Sequence, residues 1–169
     1  NALHRMGLHE ETVHRAEEFA SLYQTHTAIS AEHDLNTLLQ TIVKNAAALL
    51  GTSAGGMYFY DAANEELQVV VATHPSIPIG MILHLGEGAA GRVAQSRQPL
   101  RIDDYAAWEG RSKNYETSRI RAVLEVPIIF GGELIGVLVA HEVGASERKF
   151  THADERLLSL YATQAAGAI

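Results

Sequence analysis

The sequence contains no cysteine, which excludes disulfides, thiolate zinc sites, thiol catalysis and any chromophore attached through a thioether. It also lacks long hydrophobic runs: AVLEVP and LIGVLVA are strand-sized, far short of the roughly 20 residues that cross a bilayer, so no membrane insertion by this segment is expected. The first residues are charged and histidine-rich without the apolar stretch of a secretion signal. With no thiols and no targeting segment, a cytoplasmic setting is expected. Positive charge is in the minority, 13 Lys and Arg against 20 Asp and Glu, for a formal net charge of -7. That field repels nucleic acid and anionic lipid, and no basic run offsets it.

What remains is an ordinary globular composition, 169 residues with 47% hydrophobic and 20% charged, enough for one domain with its own core. Residues 10–30 carry Val13, Ala16, Phe19, Ala20, Tyr23 and Ile29 at mostly helical spacing. Residues 1–30 are accordingly read as an N-terminal signalling or dimerisation helix and 31–169 as the domain proper. A second helix is expected from an Asp34 N-cap to Gly51, its apolar face formed by Leu35, Leu38, Leu39, Ile42, Val43, Ala46, Leu49 and Leu50. Strands follow at 55–61 and 66–73, four residues apart and therefore antiparallel, then at 81–85, a short helix near 89–97, and a strand at 100–103. The polar stretch 104–121 exceeds ordinary connection lengths and is expected to be partly helical or a lid. A hairpin of 122–130 and 133–142 turns at Gly131-Gly132. A last helix is capped by Thr151 with Asp154, its buried side Leu157, Leu158, Leu160, Tyr161 and Ala165. The chain closes on AAGAI in mid-helix, as a piece of a longer protein would. The fold class is α+β, an antiparallel sheet with helices on its faces.

Gly86, Gly88 and Gly91 have the spacing of a dinucleotide-binding loop. Glu87 places a carboxylate inside that loop, Pro99 ends the helix early, and no second βαβ unit follows. The glycines therefore serve backbone geometry and close packing. No G-x-S-x-G elbow, Walker sequence or acidic pair is present; Asp103 and Asp104 are adjacent in a strand and face opposite ways. No enzyme activity is expected. His9, Glu10 and His14 miss the zinc-protease spacing by one residue, leaving His4, His9 and His14 as solvated side chains. His74, His84 and His141 sit in or beside strands, where their convergence would make a metal or haem sensor.

Three segments in order, GEGAAGRVAQSRQPLRIDD, VLEVPIIFGGELIGVLVA and FTHADERLLSLYATQAA, resemble the GAF domain family, small cytoplasmic sensor modules of signalling proteins. The resemblance covers about residues 30–169. It implies a sheet of about six strands with the terminal helices on one face. On the other face it implies a small-molecule pocket roofed by the glycine-segment helix and the 104–121 loop. It further implies an unidentified small-molecule ligand, homodimer contacts through the terminal helices, and an output domain in the same chain. That output would be a two-component histidine kinase, a cyclic-nucleotide enzyme or a transcription regulator. Family members that hold bilin covalently use a cysteine, which is lacking here. Haem-binding members place a histidine where SKNYETSRIR offers only Tyr115. Phe150, Asp154 and Glu155 match half of the cyclic-nucleotide signature, while His141 and Glu142 stand where Asn and Lys are expected. A domain with a filled pocket, acting only as a dimerisation spacer, is the alternative.

Within this frame Glu125 stands out, a carboxylate in the apolar strand AVLEVPII that is costly unless solvated, paired with Arg119 or Arg121, or facing a ligand. Alternation puts His141 on one sheet face with Ile135, Val137 and Val139, opposite Leu134, Gly136, Leu138 and Ala140, the small residues admitting a helix. The candidate ligand contacts are thus Val123, Glu125 and His141 on the final hairpin, with Tyr58 and Tyr60 on the first strand. Leu83, Val93 and Ile102 are expected to wall the pocket, and Asp103, Trp108, Tyr115 and Arg121 to close it from the loop.

Overall fold

The computed structural model describes residues 31–115 and 119–169; the helix expected at 10–30, with His4, His9 and His14, lies outside them. Two compact units divide the chain, 1–37 and 38–169. Of the first, residues 31–37 are helical and exposed, with Thr37 Oγ1 donating to the His33 carbonyl at 3.0 Å. Helix α1 occupies 31–50. Ala31 and Glu32 are good helix formers, so the helix is already under way before Asp34, which stands inside it and not at an N-cap. Its C-terminus is a Schellman motif: Gly51, at φ 62°, donates to Ala48 and Thr52 donates to Ala47.

Six antiparallel strands follow: β1 Ala54–Asp61, β2 Glu66–Ala72, β3 Ile82–His84, β4 Leu100–Ile102, β5 Ile120–Phe130 and β6 Glu133–Val143. They lie in the order β3-β2-β1-β6-β5-β4. Helices α2, Gly88–Ser96, and α3, His152–Ala166, complete the layers. The 104–121 stretch contains two single 3-10 turns, Tyr105–Ala107 and Lys113–Tyr115, so it is partly helical.

One face of the sheet carries Leu124, Val126, Ile128, Leu138 and Ala140 against α1 and α3. From α1 come Leu39, Ile42, Val43, Ala46 and Leu50, a stripe at i, i+3, i+4, i+7 and i+11. Each large member is worth about 1.5–3 kcal/mol of burial. Leu49 lies about 80° from the axis of that stripe and is 48% exposed; Leu35 is 36% exposed. On α3 the buried residues are Leu158, Ala162, Ala165 and Ala166. Leu160 projects about 200° away from Leu158 and is 64% exposed, with Leu157 at 38%. Leu35, Leu49, Leu157 and Leu160 are therefore not core residues, contrary to the helical-face reading. The α3 cap forms as expected, Asp154 N donating to Thr151 Oγ1 and Thr151 N to Asp154 Oδ2. Thr151→Ala is expected to lower stability by about 1 kcal/mol in urea unfolding.

The other face carries Tyr58, Leu67, Val69, Val123, Val137 and Val139 beneath α2 and the 3-10 turns. Alternation assigns Val137, Val139 and His141 correctly but fails at the hairpin tip. There the register shifts between Ile128/Ile129, which pair with Gly136 and Leu134. Ile135 is the extra residue of this bulge and joins the helix-side core, while Leu134 joins the opposite one. Gly136 does not admit a helix; a Cβ there would overlap the Tyr58 carbonyl of neighbouring β1.

Candidate functional site

The second core surrounds a cavity of about 20 Å³, enough for about one water-sized occupant. Its floor is the adjacent interior strands β5 and β6, which supply Val123, Glu125, Val139 and His141, with Tyr58 from β1. Its roof is Ala89 and Ala90 of α2, Tyr105 and Tyr115 of the two 3-10 turns, and Ile120 at the start of β5. Ile77, between β2 and β3, also lines it.

The glycine segment shapes this roof. Gly86 and Gly88 have φ of 84° and 63°, and a Cβ on Gly91 would lie 2.5 Å from the His84 carbonyl. Those constraints bring α2 down onto the sheet, so that two alanines can serve as its wall.

Glu125 is paired in register with Val139 on one side and Leu100 on the other. It is thus on an interior strand, 5% exposed, and the reading of a solvated carboxylate, as on an edge strand, fails. Arg119 and Arg121 are exposed, and Glu125 Oε2 has no hydrogen-bond partner. Burial alone pushes its carboxyl up to about 8. His141 is 1% exposed, and its Nε2 is also without a partner. Burial first, and then the neighbouring His74, push it down to about 4. At neutral pH this site therefore holds a mostly protonated carboxyl and a neutral imidazole.

The tyrosines tie the loop to the sheet. The Tyr58 and Tyr115 hydroxyls hydrogen-bond each other, and Tyr105 Oη accepts from Ser112 N at 2.9 Å. Tyr105 and Tyr115 meet edge to face at 6.1 Å. Burial raises the pKa of all three, Tyr105 to about 12, leaving each phenol neutral.

Of the residues singled out in the sequence, Tyr58, Tyr115, Val123, Glu125 and His141 come together on the cavity wall. Tyr60, Leu83, Val93 and Ile102 belong to the surrounding core without reaching the cavity. Trp108 lies outside it, stacked beneath Arg92 at 4.7 Å and against Tyr105 at 5.6 Å. Arg121 and Asp103 are on the surface, in a separate groove with Asp104 and Lys149. A second register shift, between Ile120/Val123, explains Arg121: the bulge turns Ile120 inward in its place. Tyr105, Ala89, Ala90, Ile77, Ile120 and Val139 were not among the sequence candidates. Tyr105 carried a signal, as an aromatic in a polar loop; the alanines carried none beyond the glycines around them.

The histidines do not converge. His74 meets His141 with ring centroids 6.4 Å apart, whereas His84 is paired with Glu66 at the opposite end of β2. Among the described residues no group of three or more potential ligands could hold a metal, and no helix is long and apolar enough to cross a membrane.

Phe150, Asp154 and Glu155 have structural roles. Phe150 is core, Asp154 completes the α3 cap, and Glu155 lies 3.6 Å from Arg101. Glu142 accepts from Thr52 at 2.7 Å and Ser53 at 3.1 Å and lies 3.5 Å from Arg148.

A family model described as the GAF domain matches residues 34–169. No curated protein matches the chain. Among solved structures, the chain is similar to the GAF domain of a phosphoenolpyruvate-protein phosphotransferase from Coxiella burnetii: TM-score 0.69, 22% identity, covering 79% of this chain and 80% of that one. It is similar also to residues 122 to 287 of a methyl-accepting chemotaxis protein, with TM-score 0.67, 24% identity and coverage of 84% and 92%. A third likeness is to the free methionine-R-sulfoxide reductase of Neisseria meningitidis in complex with its substrate, with TM-score 0.65, 21% identity and coverage of 76% and 74%.

Proposed function

The chain belongs to the GAF domain family, sensory modules of signalling proteins, and on that premise we propose that it is a cytoplasmic regulatory domain that binds a small molecule in the cavity between β5–β6 and the 104–121 loop. The observation that supports this is the pair of buried, unpartnered polar atoms, Glu125 Oε2 and His141 Nε2, in residues that line the cavity. A folded protein retains such atoms at a cost of about 1–3 kcal/mol each unless something satisfies them. An occupant larger than a water displaces Tyr105 and Tyr115, and the loop is the part that moves. The rearrangement then reaches an output domain of the same chain by biasing two arrangements of the helices. Self-association through the terminal helices belongs to the same reading; Leu49, Leu157 and Leu160 stand exposed on α1 and α3.

Sulfoxide reduction, the activity named for one neighbour, needs a reductant such as a thiol, and this sequence contains no cysteine. We therefore read the domain as regulatory and not catalytic. A ligand-free spacer is the second reading, favoured by the cavity's small volume of about 20 Å³; its carboxyl and imidazole lining speaks against it. Native mass spectrometry of gently purified protein separates the two. A retained small molecule, lost on denaturation, is expected, and resupplying it at a hundred times its Kd should stabilise the domain by about 2.7 kcal/mol. Protein that carries no bound mass and gains no stability from a metabolite panel is a spacer.

A further inference from the structure

We propose that the cavity is a site for a primary ammonium group, pinned between Glu125 and His141 against the tyrosines. The proposal rests on the small-molecule reading above and adds the ligand's chemical class. Val123 and His141 are directly opposed in register and Glu125 is two residues along, so Glu125 and His141 are diagonal neighbours on one face, roughly 7–8 Å apart at the backbone. A single small group between their side chains can reach both.

Three buried side-chain atoms lack a partner among the described residues; two of them, one carboxyl oxygen of Glu125 and one imidazole nitrogen of His141, belong to residues lining the cavity, and the third, Glu87 Oε2, lies at the start of α2 outside the lining. A neutral imidazole offers an acceptor nitrogen, and an ionised carboxylate offers only acceptors. An ammonium has three N–H donors and a positive charge, which matches this set. The remaining lining is aliphatic apart from Tyr58, Tyr105 and Tyr115, aromatic rings of the kind that attract cations. The hydroxyls of Tyr58 and Tyr115 are engaged with each other and that of Tyr105 with Ser112. The cavity volume of about 20 Å³ accommodates the head group, and a longer substituent requires Tyr105 and Tyr115, in edge-to-face contact at 6.1 Å, to move apart.

The charged and titratable groups facing Glu125 are Tyr58 on β1, Tyr105 and Tyr115 on the loop, and His141 on β6. Glu87, at the start of α2, raises the pKa of both loop tyrosines. No residue lining the cavity carries positive charge at neutral pH, since His141, beside His74, is held neutral; Arg111 acts on Tyr105 from outside the lining, opposing the effect of burial on its pKa. The ligand would supply the missing cation. Binding then converts the protonated carboxyl of Glu125 and a free R–NH3⁺ into a carboxylate–ammonium pair, releasing one proton to solvent and breaking no covalent bond.

Isothermal titration with methylammonium, tetramethylammonium and acetate, in buffers of different ionisation enthalpy, tests this. Methylammonium is expected to bind with release of most of a proton at pH 7, and its affinity to rise roughly fifty-fold from pH 6 to pH 8. Tetramethylammonium, with no N–H, should bind at least tenfold more weakly. Glu125→Gln, which retains the shape and is expected to fold, should lose at least tenfold in affinity together with the pH dependence. Acetate binding with proton uptake, and no methylammonium binding, overturns the ammonium assignment and leaves the pocket reading standing. Methylammonium binding unchanged in Glu125→Gln likewise overturns it. Absence of binding by all three probes overturns the ammonium assignment, and if native mass spectrometry also shows no retained molecule the pocket reading falls with it.

Discussion

Glu125→Gln is expected to stabilise the fold by about 4–5 kcal/mol at pH 8.5 and by less than about 1 kcal/mol at pH 5, measured by urea unfolding. The carboxyl has a folded pKa of about 8 against an ordinary 4.5. A raised pKa means that the folded state holds the proton more tightly, so the contribution is fully present below pH 4.5. It is lost as pH rises through 8. Glutamine keeps the size and neutrality of the protonated form at every pH. His141 works in the opposite sense: its pKa is lowered from 6.5 to about 4, so its contribution is present above 6.5 and lost as pH falls through 4. Between pH 4.5 and 6.5 the two slopes oppose each other. Above 6.5 only Glu125 remains, and the wild-type protein should lose stability steadily toward pH 8.5. Parallel wild-type and variant profiles would show that Glu125 titrates normally, and the desolvated carboxyl would then have no basis. A residue that weakens the fold at neutral pH points to what the site does and not to what holds the domain together.

Arg148→Ala should cost about 3 kcal/mol, the second largest effect. This one side chain joins three elements. Its Nη1 donates to the Gly51 carbonyl at 2.7 Å and Nη2 to Leu50 at 2.5 Å, satisfying the carbonyls at the end of α1, where positive charge also suits the helix dipole. The same guanidinium lies 3.5 Å from Glu142 and 3.7 Å from Asp154 and over the Phe150 ring at 5.1 Å. Glu142 is 7% exposed in its side chain, and burial opposes its ionisation. Hydrogen bonds from Thr52, Ser53 and Ser146, with the charge of Arg148, outweigh that burial and leave its pKa lowered. Truncation removes the cation beside the Glu142 carboxylate and the donor to two helix-end carbonyls at once. Arg148→Lys keeps the charge without the planar fork and should recover about half of the loss. Denaturant midpoints for the two variants check this; an alanine variant within about 0.5 kcal/mol of wild type would show that the cluster is ornamental.

Both residues illustrate what can be read along a chain. Local chemistry was legible: the Gly131-Gly132 hairpin, the Thr151–Asp154 cap and the short helix after Gly86 each depend on neighbours within a few residues, and each is where the sequence places it. Register was not. The bulges at Ile120/Val123 and Ile128/Ile129 are settled by pairing across strands, and they exchange Arg121 for Ile120 and Leu134 for Ile135. The fate of Glu125 depended on strand order, because the same AVLEVPII run at a sheet edge would have left the carboxylate in water. Helix faces were overestimated for a related reason: a leucine such as Leu160 satisfies helical spacing loosely, and only the position of the sheet decides which stripe is buried. Arg148 gave no motif at all, being one of two adjacent cations in a loop, with partners about a hundred residues earlier, six earlier and six later.

In β5, Glu125 faces the cavity while its two sequence neighbours, Leu124 and Val126, are packed among residues of α1 and α3. The partition between the binding compartment and the helical compartment is a single peptide plane thick there. With close-packed residues of α1 and α3 directly behind Leu124 and Val126, a backbone shift at Glu125 has no slack on that side in which to dissipate. A strand in that position behaves as a diaphragm, and pressure applied from one room is felt at once in the other.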